Sequence, residues 1–204
     1  MFPRWFTSIV ASPSEQLEAA ELLAAEQRLS LIFEPGMLRG AALAEQGAVD
    51  EAIARIREGV TKSTRLGRTI LLPYGLAFLA QELVRHGDHA AALAALREGL
   101  ALADVTGEHF RDAELHRLSG TVLLAENKLD EGGASLQHAI HIAQAQQAKS
   151  LELRATASLA RLWRDQGKPH QARELLAPVY GWFTEGFDTR DLKEAKALLE
   201  ELGS

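Results

Sequence analysis

Histidine and aromatic side chains offer the first candidates for chemistry. His138 and His141 lie three residues apart, a spacing that puts two metal ligands on one helix face. His86 and His89 flank Gly87-Asp88. No HExxH is present and no third ligand is fixed by spacing, so both pairs read as solvated histidines. A phosphate-binding GxxxxGK[ST] is missing, as is a GxGxxG following a strand; Glu131-Gly132-Gly133 lies inside a helical register. No nucleophile stands with a defined base. Trp163, Tyr180, Trp182 and Phe183 could cage a ligand, but large aromatics more often fill cores and cap ends. The expectation is a protein that is not an enzyme, with no catalytic residue, metal or cofactor.

The elements that carry these residues repeat. The clearest copy, residues 158–180, reads as a helix, a tight turn at Gly167 and a second helix. At steps of 40 residues Gly167 becomes Asn127, Gly87 and Gly47. Ala160 becomes Gly120, Ala80 and Gly40; Ala172 becomes Gly132, Ala92 and Ala52. Trp163 becomes Leu123, Leu83 and Leu43, and Leu176 becomes Leu136, Leu96 and Ile56. Small residues on both helices let a hairpin close, and the bulky ones fill the space beside the crossing. Gly and Asn tolerate the left-handed conformation that ends a helix. Such a period means stacked units, none able to bury its apolar face alone.

The small residue, the bulky one three further on, the turn Gly, the second small residue and the Leu resemble the tetratricopeptide repeat over about residues 31–180. The period is 40 residues rather than about 34, so helices or links are lengthened. The Pro that often closes the standard repeat is missing, with Thr64, Asp104, Gln144 and Thr184 near its place. HEAT and armadillo arrays fit the period but not the small-residue spacing. From Ala113 onward, AELHRLSGTVLLAEN and the segment from AKSLELRATASLARLW to the end are similar to the repeat tail of large bacterial signalling proteins. Those carry a nucleotidyl cyclase or DNA-binding head and a STAND-type ATPase middle. The resemblance implies a regulatory tail, without cyclase or ATPase activity.

The expected fold is all-α, a right-handed α-solenoid forming one domain over residues 1–204. Residues 1–30 give an apolar N-terminal segment and a half-repeat helix. Repeats follow at 31–66, 67–107, 108–147 and 148–184, with a capping helix at 185–204. Leu192, Ala195, Leu198, Leu199 and Leu202 form the cap's apolar stripe, with Glu194, Glu200 and Glu201 on its wet side. The half repeat at the start suggests a shortened member of the larger family, the alternative being a helix that caps the N-terminal end of the array.

In the family resembled, the first helix of each hairpin lines an inner groove. That implies Tyr74, Gln81, Arg85, Glu114, Arg117, Thr121, Arg154, Arg161 and Arg164 as groove residues, preceded by Met37 and Ala41. Met37 and Ala41 do not supply the clamp with which some relatives hold a chaperone's carboxylate tail. The later half is Arg-rich although the chain carries a net charge of −6. Guanidinium forks suit carboxylates. The expected function is therefore protein–protein interaction with an extended anionic peptide; the alternative is a sensor for a small anionic effector. Arg117→Ala, Arg154→Ala and Arg161→Ala are expected to weaken binding at unchanged stability. The acidic balance argues against nucleic acid. The chain has no cysteine and no apolar run of membrane-spanning length, which fits a reducing cytoplasm, and the resemblance implies a bacterial one. Residues 1–10 are where a homodimer contact would form.

Overall fold

In the computed structural model, residues 35–69 and 71–203 are described, and they form helices without strands. The expected N-terminal segment and half-repeat helix, and the dimer contact at residues 1–10, lie outside the described residues. In order the helices are α1 (Pro35–Glu45), α2 (Val49–Arg65), α3 (Leu72–His86), α4 (His89–Thr106), α5 (Asp112–Ala125), α6 (Leu129–Ala145), α7 (Lys149–Asp165), α8 (Pro169–Gly181) and α9 (Arg190–Glu201). A 3-10 turn, His109–Arg111, precedes α5.

The helices stop where the backbone turns left-handed, and those stops come every 20 residues. Positive φ occurs at Gly47, Gly67, Gly87, Gly107, Asn127, Gln147 and Gly167. Each is followed by a residue whose N–H reaches back five positions: Ala48 to Leu43 at 3.0 Å, Asp88 to Leu83 at 2.9 Å, Lys128 to Leu123 at 2.9 Å and Lys168 to Trp163 at 2.9 Å. The intervening turns repeat it, with Arg68 to Ser63, Glu108 to Ala103 and Ala148 to Ala143. This bond, with the shorter one from the left-handed residue itself, satisfies carbonyls that a helix end leaves without partners. Helices α2, α6 and α7 each run 17 residues. Three-residue links such as 146–148 then complete the half-period, so the longer repeat comes from longer helices. The Asp88 carboxylate also accepts from the Ala91 N–H at 3.0 Å, capping α4.

Two breaks in the rhythm have local causes. Helix α3 starts at Leu72, five residues after the left-handed Gly67, with Pro73 in its first turn and Leu71 left-handed at its N-cap. Pro suits that first turn, where an amide hydrogen would find no partner. Helix α5 starts at Asp112 instead of Glu108 because the 3-10 turn occupies the preceding residues.

Packing divides the chain into two compact units, with the boundary between Ala95 and Leu96. In the first, α1 packs on α2 and α2 on α3. Met37 is buried there, in the core rather than on an exposed groove wall. In the second unit α5 packs on α6, α6 on α7 and α7 on α8, while α5 also touches α7. Helix α9 lies against both α7 and α8. The small positions sit at the crossings: Ala52, Ala80, Ala92, Ala160 and Ala172 are fully buried. A Cβ at Gly120 would stand 2.9 Å from the Gly132 carbonyl oxygen and 2.8 Å from Leu136 Cγ, so α5 and α6 are nearly in backbone contact. Leu153, Leu176, Leu192, Ala195 and Leu198 form the core under α9, with Trp163, Tyr180 and Phe183 partly buried around it.

Ala160→Leu is expected to overpack the α7–α8 crossing and cost about 1–3 kcal/mol in urea melts, whereas Gln171→Leu on the exposed side of α8 stays near neutral. An unchanged midpoint for Ala160→Leu would show the crossing to be misplaced. Gln147 holds a left-handed conformation that costs a non-Gly residue about 1–2 kcal/mol. Part of that is offset by the backbone entropy Gly loses, so Gln147→Gly is expected to raise stability by up to about 1 kcal/mol in the same assay.

Candidate functional site

The residues expected to line a groove divide by packing unit. In the first, Tyr74, Gln81 and Arg85 stand on α3. Tyr74 is half-buried, edge-on to Phe78 with ring centroids 4.7 Å apart. Arg85 donates to the Ala44 carbonyl at 3.2 Å, near the C-terminal end of α1, where a cation is favoured. It also pairs with the buried Glu82 carboxylate at 3.1 Å. Arg85 thus ties two helices together within its unit. A cleft of about 240 Å³ in the same unit is lined by Asp50, Ile53, Ala54, Arg57, Leu83, His86 and Asp88. His86 Nδ1 lies 3.1 Å from an Asp50 carboxylate oxygen there.

The second unit brings Glu114, Arg117 and Thr121 on α5 beside Arg154, Arg161 and Arg164 on α7. Glu114 is the hub. Its carboxylate takes two bonds from Arg117, at 2.8 and 2.9 Å, and Arg154 stands 3.3 Å away across the helix pair. The Glu114 side chain is 6% exposed and that of Arg117 14%. Burial alone would raise the Glu114 carboxyl, but the Arg117 hydrogen bond and the charges of Arg117, Arg154 and Arg111 hold it below the ordinary carboxylate value. Burial likewise pulls the Arg117 guanidinium down, and Glu114 more than restores it. Thr121 turns its hydroxyl back to the Arg117 carbonyl at 3.0 Å.

Helix α9 completes the cluster. Arg154 Nε stands 3.5 Å from Asp191, Arg161 pairs with Glu194 at 3.1 Å, and Arg164 pairs with Glu201 at 2.6 Å. The partners rise in sequence together, so α7 and α9 run side by side in the same direction. Arg190 holds Glu194 from its own helix at 2.7 Å. That bond, opposed by partial burial and helped by the charges of Arg190 and Arg161, keeps the Glu194 carboxyl below its usual range. Glu194 and Glu201, read from sequence as the wet side of a cap, are the carboxylates that face the α7 arginines, together with Asp191. One signal for them was available. The arginines are spaced by seven and then three residues, and the acids by three and then seven.

The histidines do not converge on a metal. Among the described residues no three His, Cys, Asp or Glu side chains are placed to hold one. His138 faces His116 across the α5–α6 hairpin, edge-on at 4.5 Å between ring centroids, and His141 is exposed. Burial, and then the nearby His138, push the His116 imidazole below its ordinary pKa against the pull of Asp112. The aromatic residues separate: Trp163 packs on the core, while Trp182 is exposed and edge-on to Phe183, with the Lys149 ammonium 5.8 Å from its ring. No helix among the described residues is long and apolar enough to cross a membrane.

Solved structures give the fold a place. BtubC (BKLC) from P. vanneervenii superposes with a TM-score of 0.68 at 15% identity, over 94% of this chain and 87% of that one. A putative kinesin light chain from Podosopora anserina, with nearly identical TPR-like repeats, gives 0.60 at 18% identity, over 82% and 83%. The fold is that of tetratricopeptide-like repeat proteins. MamA matches that fold too, at a TM-score of 0.53 and 16% identity over 92% of this chain and 88% of its own. No protein-family model matches the sequence, and no curated protein matches it.

Within this repeat fold the ion pairs fall into two kinds. Arg117→Ala leaves a buried carboxylate without its bidentate partner, a loss that costs about 3–5 kcal/mol. Arg161→Ala breaks a pair 39% and 44% exposed, for which about 0–1 kcal/mol is expected. The expectation that both substitutions spare stability is thereby corrected for Arg117. Urea denaturation of the two variants checks the contrast, and equal midpoints would refute it.

Proposed function

We propose that the chain is a protein-interaction module that takes an extended acidic peptide segment along the α7 face. In this reading it serves as a regulatory or scaffolding tail in a bacterial cytoplasmic signalling system. The observation that carries the proposal is the row Arg154, Arg161 and Arg164, whose side chains are 31%, 39% and 37% exposed. They lie on one face of a rigid helix, and each meets its partners by single contacts rather than a fork. A guanidinium held that way keeps donors for an incoming carboxylate. The repeat fold supports a protein as the partner, since such arrays present extended surfaces to other chains.

The choice of an acidic ligand follows from charge. Each charge-assisted hydrogen bond contributes about 1.5–3 kcal/mol when formed in a partly desolvated seam. The pairs to α9 are exposed, so exchanging one of those carboxylates for another costs little. Binding should weaken as sodium chloride is raised through the physiological range, where exposed charges are screened over about 8–10 Å. The test is to isolate the partner and measure its affinity by calorimetry against salt, Arg154→Ala and Arg161→Ala. Lys168→Ala, exposed at the turn before α8, serves as the control. A partner whose affinity ignores both salt and the two arginine substitutions sinks the reading.

A further inference from the structure

Resting on that reading, we infer that Asp191, Glu194 and Glu201 of α9 act as a built-in competitor, occupying the arginine row that an acidic partner must use. Three observations carry it. First, the pairing is complete in the free chain: each of Arg154, Arg161 and Arg164 meets a carboxylate of α9. Second, the competitor is tethered by other means. Leu192, Ala195, Leu198 and Leu202 bury the apolar side of α9, so its carboxylates can swing away while the helix stays docked. Third, the contacts differ in kind from the structural pair beside them. Glu114 and Arg117 form a buried fork, while Arg154 and Asp191 stand 3.5 Å apart and the other two are single exposed bonds.

The geometry also sets the partner's spacing. A rise of about 1.5 Å per residue puts Arg154 and Arg161 roughly 10 Å apart along α7, with Arg164 about 5 Å beyond. An extended peptide advances about 3.3 Å per residue, so its acids belong near positions i, i+3 and roughly i+4 or i+5. An incoming segment of that pattern meets guanidiniums already neutralised, and the displaced α9 carboxylates then stand beside it as like charges. Both effects lower affinity. They also give selectivity, because only a segment with several correctly spaced acids replaces all three contacts together, while an isolated carboxylate gains nothing over the internal one.

The experiment uses the full chain and a fluorescein-labelled oligo-glutamate peptide, followed by anisotropy at low salt. Wild type is compared with the triple variant Asp191→Asn, Glu194→Gln, Glu201→Gln, and with that variant carrying Arg161→Ala as well. The triple variant is expected to bind at least about tenfold tighter than wild type, a difference of about 1.4 kcal/mol, and Arg161→Ala is expected to remove most of the gain. Circular dichroism melts accompany each protein. If the triple variant melts early, Glu194→Gln alone carries the test, because Glu194 answers both Arg161 and Arg190; an increase of about threefold is then expected, with unchanged melting. Equal affinity in wild type and the triple variant, lost when Arg161→Ala is added to the triple variant, overturns the competitor and leaves the acidic-partner reading standing. Absence of binding by every protein at low salt overturns both.

Discussion

A left-handed residue every 20 positions is the constraint on which the other features depend. It ends the helices from α1 to α7 at intervals of about 20 residues, and its two back-bonds leave the next helix starting within three residues at most turns. Because the spacing holds, residues 40 apart return to the same face of equivalent helices. Small residues therefore meet small ones at Gly120 and Gly132, and Leu136 fills the volume beside them. The same phase brings α5, α7 and α9 into a series in the second unit, with Arg154 reaching a carboxylate on each side. Loss of one stop would shift everything after it by a fraction of a turn and unseat both the crossings and the ion pairs.

Four of those seven stops were legible in the sequence and three were not. Gly47, Gly87, Asn127 and Gly167 announce themselves because only a few residues adopt positive φ cheaply, and all four have the required type. The alternate series runs Gly67, Gly107, Gln147, and Gln147 breaks it. A glutamine carries no local sign that its backbone is left-handed; the turn's backbone bonds, Gln147 N–H to Gln144 and Ala148 N–H to Ala143, accompany the conformation. The late starts of α3 and α5 escaped for a related reason. Helical hydrophobic spacing continues through Thr69 and Glu108, while the hydrogen bonds that delay the helices depend on the preceding turns.

For the candidate surface, sequence revealed the charges but not their partners. Glu114 and Arg117 are three apart on one helix, so their meeting is local and could be read directly. Their burial could not, since it depends on α7 covering them. Arg161 and Glu194 are 33 residues apart, and Arg164 and Glu201 are 37. A count of arginines on a predicted inner wall therefore suggests unbalanced positive charge where the folded face pairs each α7 arginine with carboxylates and is nearly neutral.

That neutrality changes what a charged repeat face means. A row of arginines left open would repel itself and attract many anions. A row closed by buried forks would bind none and serve the fold alone. This chain stands between the two cases, with a buried fork on α5 and a row of exposed, already paired arginines on α7. The Glu114–Arg117 fork, shielded from water, lies within α5, and its carboxylate reaches across to α7 by anchoring one end of Arg154. From that anchored end the pairing continues outward through exposed contacts to α9, where exchange is cheap because water and salt already weaken each bond. The buried pair makes the surface precise, and the exposed pairs make it replaceable. Both follow from the same helix series, because depth falls off from the α5–α7 seam toward the edge where α9 lies.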